Sequence, residues 1–561
     1  MDRQLLASMK ETGSRPPGHR LGWLAGIVVL MFGAWVAVRW PEDLDTNIKA
    51  WLSTMVILLG AVLVLLWFLL LGRFSWKARL GVLVLLGLLG MLARQTLRVD
   101  GTVDGTGTPR FVWKWSVAPG LPPAPSPSGT RAGVGTTLGT AGGVGGAQGE
   151  VGVLPGVIDT PQFMGPRRDG LLLGSRLGRD WSATPPREMW RQPIGAGWSA
   201  FAVVGGRAYT QEQRDEEEWV TCYALRTGAL LWAHTNRARF FQWQGGAGPR
   251  ATPTVDRGRV YALGGTGILD CLDAADGRRL WSRAVLEENG LPNLIWGVSG
   301  SPLVFDETVV VTGGMTNRAT VLAYRRETGE PLWQAGADLA SYASPILAKL
   351  AGRSVVLSLN ASGLTAHDPA GGKVLLDFRW GKGDWPKAAQ PVLLDGDRVF
   401  LSAGYTVGCV MLRVKSEADG MLSAEELWRN KRMKTQFNSA VAREGLIYGL
   451  DDGLLACVDA ETGDRRWKDG RYGAGQSLVV DDLVLIQSEP GPVVLAEARP
   501  DEFRELGRLA ALSSKTWNFP TLAGRYLLVR NDREAVCYEL PVAGESTASA
   551  TRAAAVGVSG R

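Results

Sequence analysis

The stretch Cys457-Val-Asp-Ala-Glu-Thr-Gly-Asp-Arg-Arg-Trp467 is the cleanest copy of a motif that recurs through the second half of the chain. In general form it reads A/C-x-D-x-x-T-G-x-x-x-W. The other copies, complete or degenerate, are Ala323 to Trp333, Cys271 to Trp281, Arg226 to Trp232, a segment around Asp368, and Leu427-Trp428. The turn residues of the motif suit a hairpin, because Thr-Gly and Asp-Gly supply the positive φ that tight turns need.

The spacing of the closing residue predicts the architecture. The equivalent positions are 39 to 52 residues apart and comprise Trp190, Trp232, Trp281, Trp333, Phe378 or Trp380, Trp428, Trp467 and Leu506. Each interval contains short apolar strands such as Arg259–Leu263, and a repeat of about 40 to 50 residues with several strands is typical of propeller blades. The sequence therefore predicts an all-β, eight-bladed β-propeller in which each large Trp packs between neighbouring blades.

The two ends of the repeat array are incomplete in a complementary way. The last unit, from Trp517 to Leu540, has no closing Trp strand, whereas Glu188–Ile194 is an orphan strand before the first unit. We therefore expect the N-terminal strand to complete the last blade.

Three apolar segments precede the propeller, at residues 21–38, 51–71 and 80–97. The first two are uncharged and long enough to span a hydrocarbon core of about 30 Å. The third segment is uncharged and apolar only from Leu80 to Ala93. It becomes long enough to cross the membrane only if residues 94–97, which include Arg94, are counted. A third span is the prediction, and an interfacial helix is the alternative, which would leave the propeller on the side of the N-terminus.

Basic residues predict the orientation of this membrane anchor. Residues 1–20 carry four Lys or Arg, and the loop after the second span carries Arg73, Lys77 and Arg79, so both should be cytoplasmic. Further apolar segments follow the first, and no small-residue cleavage pattern closes it, so a cleaved signal peptide is not expected. The predicted location is a bacterial inner membrane with the propeller on the periplasmic side.

Charge and composition divide the rest of the chain. Of 61 Lys/Arg and 55 Asp/Glu, 11 and 6 lie in the first 100 residues, so the remainder is nearly neutral and nucleic-acid binding is not expected. Residues 99–158 are rich in Gly, Pro, Thr and Ser, which predicts a disordered linker. The propeller should span residues 159–543, and residues 544–561 should form a disordered tail.

The Cys and His residues exclude several kinds of site. The five Cys show no C-x-x-C spacing, and equivalent strands of adjacent blades lie too far apart for disulfides, so these residues read as small buried hydrophobes. Only three His are present, which argues against a His-based metal cluster or a Ser/His/Asp nucleophilic site.

The repeat resembles the tryptophan-docking motif of the PQQ-type (pyrroloquinoline quinone) eight-bladed β-propellers. The stretches Pro161–Gly170, Gly248–Pro253, Trp296–Pro302 and Tyr342–Pro345 are also similar to signatures of PQQ-binding-like repeat proteins. The resemblance covers about residues 159 to 541 and implies the fold. It leaves function open, because the same architecture serves quinoprotein dehydrogenases and a non-catalytic outer-membrane assembly lipoprotein. A dehydrogenase would need a planar quinone, a Ca²⁺ held by carboxylate and amide oxygens, an Arg and an Asp base.

Residues just before the innermost strand of each blade should converge at one mouth of the central channel. The predicted ligand-binding residues there are Trp198, Arg250, Trp296, Tyr342, Lys434, Asn438 and Trp517. This set is aromatic and cationic, and the nearest acidic residues are Asp384 and Glu489. No catalytic or metal-binding residue is predicted.

Two functions follow from these observations. The first is a membrane-anchored, extracytoplasmic scaffold without catalysis or cofactor, which binds an envelope protein or peptide. The alternative is a membrane-bound, PQQ- and Ca²⁺-dependent alcohol or sugar dehydrogenase that passes electrons to membrane quinone. The inserts Arg237–Gly248 and Glu417–Lys434 are the expected partner contacts, or else merely long surface loops.

Overall fold

The computed structural model describes residues 18–41, 44–116, 154–381 and 386–544. Contacts divide the chain into two compact units, with the N-terminal helices in one and the propeller, together with Gly101–Gly105, in the other. Most of the predicted linker and most of both predicted terminal tails lie outside the described residues.

Three N-terminal helices are long and apolar enough to cross a membrane. They are Gly18–Arg39, Thr46–Leu66 with the π-helical turn Trp67–Leu71, and Trp76–Thr96. The third begins four residues before the predicted segment because Ser75 caps it, accepting a hydrogen bond from the Ala78 N–H at 3.3 Å. Its 21 residues correspond to a length of about 31 Å, enough for a crossing.

The first residues of the predicted linker are ordered. Leu97–Thr102 and Pro109–Trp113 form a two-stranded sheet within the segment whose composition predicts disorder. Apolar and polar residues alternate from Leu97 to Asp100, and the second strand ends in the apolar run 111–113, so both strands contain residues that favour β structure.

Eight antiparallel sheets form the propeller and confirm the predicted blade count. The strands of each blade, from the channel outward, are as follows. Blade 1 has Ala202–Val204, Arg207–Arg214, Glu217–Ala224 and Leu230–Asn236; blade 2 has Thr254–Asp256, Arg259–Leu263, Ile268–Asp273 and Arg279–Ala284. Blade 3 has Leu303–Phe305, Thr308–Thr312, Val321–Arg325 and Pro331–Ala335; blade 4 has Ile346–Leu350, Arg353–Leu359, Gly363–His367 and Val374–Arg379. Blade 5 has Val392–Leu394, Arg398–Ala403, Gly408–Ser416 and Leu422–Asn430; blade 6 has Val441–Arg443, Leu446–Asp451, Leu454–Asp459 and Arg465–Asp469. Blade 7 has Gln476–Val480, Leu483–Gln487, Val493–Glu497 and Glu505–Leu509; blade 8 has Thr521–Ala523, Tyr526–Arg530, Glu534–Glu539 and Arg187–Pro193.

The N-terminal strand closes the ring as predicted. Arg187–Pro193 pairs antiparallel with Glu534–Glu539, placing Trp190 opposite Cys537. The guanidinium of Arg530 adds a buried link between blades 8 and 1. It donates to the carbonyls of Gly195 at 2.8 Å and Gln211 at 2.9 Å.

In six of the eight blades, the motif Trp contacts the next blade in the same way. The ring of Trp281 lies against Gly329 in the turn of blade 3, where a Cβ atom would come within 2.7 Å of it. Its Nε1–H donates to the carbonyl of Arg326 at 2.9 Å. Five other Trp donate in the same way to the turn of the following blade: Trp190, Trp232, Trp333, Trp428 and Trp467. The turn glycine is therefore required by the Trp that packs on it.

The insert Glu417–Lys434 is not a free loop. Half of it forms the outer strand Leu422–Asn430, which pairs with Gly408–Ser416 in an elongated hairpin of blade 5. The insert Arg237–Gly248 carries two short strands, Phe241–Gln242 and Gly246–Ala247. A single turn of helix, Val285–Glu288, follows blade 2.

The signature stretch that begins at Pro161 lies across the channel. The Pro161 carbonyl accepts from Val255 of blade 2 at 2.8 Å, and Leu171–Leu172 adds a parallel strand to blade 7. The buried guanidinium of Arg168 donates to the carbonyls of Ser301 at 2.8 Å and Pro302 at 2.9 Å beside blade 3. This segment therefore contacts the innermost strands of blades 2 and 7 and the residues just before the innermost strand of blade 3.

Candidate functional site

A belt of hydrogen bonds runs around the mouth of the channel and positions the residues there. The residue at or just before the start of one innermost strand donates its backbone N–H to a side chain at the same position in the next blade. The bonds run from Ala200 to Thr252, Thr252 to Ser301, Ser301 to Ser344, Ser344 to Gln390, and Gln390 to Ser439, at 2.8 to 3.1 Å. Because each step is fixed by the neighbouring blade, the residues preceding these strands lie around a common mouth.

Amide side chains complete the belt over the remaining blades. Gln476 Nε2 donates to the carbonyls of Phe437 and Trp517 at 3.0 Å each. Asn518 Nδ2 donates to the carbonyls of Gly197 and Ser199 at 3.1 and 2.8 Å. The belt therefore returns from blade 8 to blade 1 and closes on itself.

Trp198 and Trp517 form an aromatic cluster at the mouth. Their ring centroids are 4.9 Å apart, and the ring of Phe437 approaches Trp517 edge-on, also at 4.9 Å. The ammonium of Lys515 lies 4.1 Å from the Trp517 ring centroid and 5.5 Å from that of Trp198, within reach for cation–π attraction. Trp198 and Trp517 belong to the predicted ligand-binding residues, and Phe437 does not.

Glu489 is the acidic centre of this cluster. Its Oε1 accepts from Trp517 Nε1 at 2.7 Å and from the Gly105 N–H at 2.6 Å, and its Oε2 accepts from the Ala474 N–H at 2.9 Å. Burial raises the pKa of the Glu489 carboxyl, and the three donated hydrogen bonds oppose that shift. Glu489 is one of the two acidic residues predicted near the mouth. The sequence does not show its donors, because Trp517 and Gly105 lie 28 and 384 residues away. Asp384, the other acid noted, lies outside the described residues.

Arg250 is held by backbone carbonyls of the insert Arg237–Gly248. Its guanidinium donates to the carbonyls of Gly245, Gly246 and Gly248 and lies 4.4 Å from the ring centroid of Phe240. The Gly245 carbonyl also accepts a hydrogen bond from Trp198 Nε1 at 2.5 Å. The same carbonyl therefore links Trp198 and Arg250, both of which are predicted ligand-binding residues. Enclosure lowers the pKa of Arg250 to about 9, opposed by the charge of Glu218.

Trp296 and Tyr342 form a second aromatic pair, with ring centroids 5.5 Å apart. Burial raises the pKa of the Tyr342 hydroxyl to about 12, so it is protonated at neutral pH. Lys434 and Asn438 are buried and belong to neither aromatic group. The Lys434 N–H donates to Asp451 at 2.9 Å, and the amide oxygen of Asn438 has no hydrogen-bond partner among the described residues.

Exposed apolar side chains rim the mouth beside these groups. Phe241 and Trp243 in the insert are 49% and 43% exposed, and Ile295, next to Trp296, is 70% exposed. Side chains of this size in neighbouring loops form a surface suited to contact with another molecule.

Several groups of the kind that a quinone and Ca²⁺ site would use are already engaged by other groups of the chain. Trp517 packs against the rings of both Trp198 and Phe437, with ring centroids 4.9 Å apart in each case. The Arg250 guanidinium is used by three carbonyls, and the Glu489 carboxylate by three donors. Within residues 18–41, 44–116, 154–381 and 386–544, no group of three or more His, Cys, Asp or Glu could hold a metal ion.

Comparison with known proteins agrees with the architecture. A family model described as "Outer membrane protein assembly factor BamB" matches residues 216–469. The propeller is of the PQQ-like repeat type. No curated protein matches the chain.

Solved structures of the same architecture include members with different activities. BamB from Moraxella catarrhalis is 15% identical, with 63% of this chain and 100% of that chain covered and a TM-score of 0.48. Quinohemoprotein alcohol dehydrogenase from Comamonas testosteroni is 14% identical, with 69% and 81% covered and a TM-score of 0.50. At 14% identity, the likeness to the dehydrogenase structure shows the fold alone.

Proposed function

We propose that this protein is a membrane-anchored, extracytoplasmic propeller that binds a protein or peptide partner of the cell envelope without catalysing a reaction. The observation that carries the proposal is the packing of the mouth: the side chains a quinone site would use already bind one another and the chain's own backbone. The match to an outer membrane assembly factor over residues 216–469 supports a role in the envelope.

The proposed partner site is the rim of the mouth. Phe241, Trp243 and Ile295 offer exposed apolar surface, and the cluster beside them offers hydrogen-bonding groups that can read a peptide backbone. Such a combination of apolar anchors and a few fixed polar groups suits a protein ligand.

The three apolar helices support attachment to a membrane, and the basic residues near their ends support a periplasmic propeller. The inner membrane of a bacterium is the proposed location. In this arrangement the propeller would present its rim to proteins that pass through or reside in the envelope.

Site-specific photocrosslinking in cells tests the proposal. A photoreactive phenylalanine analogue placed at Trp243 or Ile295 should give one discrete adduct with an envelope protein, and mass spectrometry should map the crosslink to a single extended segment of it. Leu332, an exposed apolar residue on the outer strand of blade 3, is the matched control and should give no such adduct. Identical adducts from all three positions, or none from the rim, would overturn the proposal.

A further inference from the structure

We infer that the channel mouth is a binding site for an extended peptide of the pattern Thr-x-x-Gly, and that Gly101–Gly105 of this chain is the peptide it holds. The inference rests on the proposed function, because it names the class of ligand that the same mouth takes. Gly101–Gly105 packs as part of the propeller unit although it is remote from the propeller in sequence.

The Thr end of the segment is recognised through its hydroxyl and its backbone. Lys515 Nζ donates to the Thr102 carbonyl at 2.9 Å and lies 3.1 Å from the Thr102 hydroxyl oxygen. The hydroxyl in turn donates to the Gln244 carbonyl at 3.1 Å. Thr102 is only 1% exposed, so the mouth encloses this residue.

The Gly end is selected by the lack of space. The Gly105 N–H donates to Glu489 Oε1 at 2.6 Å. A Cβ atom at this position would lie 2.8 Å from the Ala474 Cβ and 3.2 Å from the Phe437 ring. Any residue larger than Gly would therefore push the segment away from its acceptor.

Two residues, Val103 and Asp104, lie between these ends. Val103 contributes little to recognition, because its side chain is 53% exposed. The contacts therefore read a hydroxyl, a carbonyl and an N–H at fixed spacing, with a glycine at the end. Because these groups also occur in other chains, a partner segment with the same pattern can compete for them, and the internal segment acts as an autoinhibitory ligand.

Peptide binding to the full-length protein in detergent tests the inference. The probe is a fluorescein-labelled peptide with the sequence of residues 100–107. It should bind the Gly105→Val variant at least about tenfold more tightly than the wild type, because the internal segment no longer competes from its high effective concentration. The matched control Val103→Ser should behave as wild type, and adding Lys515→Met to Gly105→Val should abolish binding. Equal affinity for wild type and Gly105→Val, or no binding to Gly105→Val, would overturn the inference.

Hydrogen exchange of the wild-type protein gives a second test that does not depend on a variant that folds. The Gly105 amide should exchange at least about tenfold more slowly than an unprotected amide, because its N–H is bonded to a buried carboxylate. Exchange at the unprotected rate would overturn the inference. Either failure would leave crosslinking at Trp243 and Ile295 unaffected, so the proposed function would be judged separately.

Discussion

The indole nitrogen of Trp517 donates a hydrogen bond of 2.7 Å to Oε1 of Glu489. This bond fixes the aromatic cluster at the channel mouth to the one buried carboxylate whose other donors are backbone N–H groups of Gly105 and Ala474. The mouth is therefore a preorganised set of peptide-reading groups. The specificity of the mouth for a peptide would come from the spacing of these groups and from the enclosure of the bound segment.

The contact between Trp281 and Gly329 predicts a large effect from one added methyl group. Gly329→Ala should destabilise the propeller by about 2 to 4 kcal/mol, because its φ of +73° strains an L-residue and its Cβ would lie 2.7 Å from the Trp281 ring. Chemical denaturation in detergent, followed by Trp fluorescence, measures the change.

Gly352→Ala is the matched control for this substitution. Its φ is +79°, but no atom lies within 4 Å of the added Cβ. It should therefore cost only the backbone strain, about 1 kcal/mol. If both variants lost the same stability, packing of the Trp on the turn would not be what joins the blades.

The buried carboxyl of Glu218 should make the stability of the propeller depend on pH. The side chain is 4% exposed, and burial raises the pKa of its carboxyl to about 7 from 4.5. An acid whose pKa is raised in the folded state stabilises the fold below its unfolded pKa, and this contribution is lost as the pH rises through the folded pKa. Stability should thus fall between about pH 5 and pH 8, with Glu218 contributing on the order of 2 kcal/mol.

Glu218→Gln should remove that part of the pH dependence, because the neutral amide cannot ionise. Glu216→Gln is the control, since the Glu216 side chain is 73% exposed. Urea denaturation of both variants at pH 5 and pH 8 measures the difference. An unchanged slope in Glu218→Gln would show that another group controls the transition.

Closure of the ring between blades 8 and 1 should be sensitive to substitution of Arg530. Arg530→Met should destabilise the protein by about 3 kcal/mol or more, because it leaves the buried carbonyls of Gly195 and Gln211 without this donor. Arg533→Met removes a half-exposed Arg from the next turn and should change stability little. Denaturation midpoints compare the two, and similar midpoints would argue against a buried clasp between blades 8 and 1.

The topology can be mapped by cysteine labelling, because all five native Cys are buried. In spheroplasts of a Gram-negative host, a membrane-impermeant maleimide should label Glu216→Cys on the propeller. It should not label Arg73→Cys in the loop after the second helix until the membrane is permeabilised. Labelling of both positions from the same side would contradict the proposed orientation.

The sequence was enough to predict the repeating parts of the fold. Trp281 and its equivalents are large, regularly spaced and preceded by turn glycines, so local signals agree with the tertiary packing in the six blades that carry this Trp. The missing Trp strand of the last unit likewise predicted that Glu188–Ile194 would close the ring.

The candidate site was only partly predictable. Trp198 and Trp517 were found because they precede innermost strands, a property readable from the repeat. The role of Gly101–Gly105 was not, because its composition predicts disorder and its bonds to Glu489 and Lys515 span 384 and 413 residues of sequence. Contacts between residues so far apart in sequence form only in the assembled ring, so no local sequence pattern predicts them.

The most direct test of the central claim is a titration of the full-length protein in detergent with PQQ and Ca²⁺, followed by thermal shift and by dye-linked oxidation of alcohols and sugars. We predict no Ca²⁺-dependent stabilisation and no dye reduction, because Trp517 at the mouth packs against both Trp198 and Phe437 and donates to Glu489. Saturable, Ca²⁺-dependent binding with dye reduction that is lost in Trp517→Ala would contradict a non-catalytic propeller and identify a quinoprotein dehydrogenase.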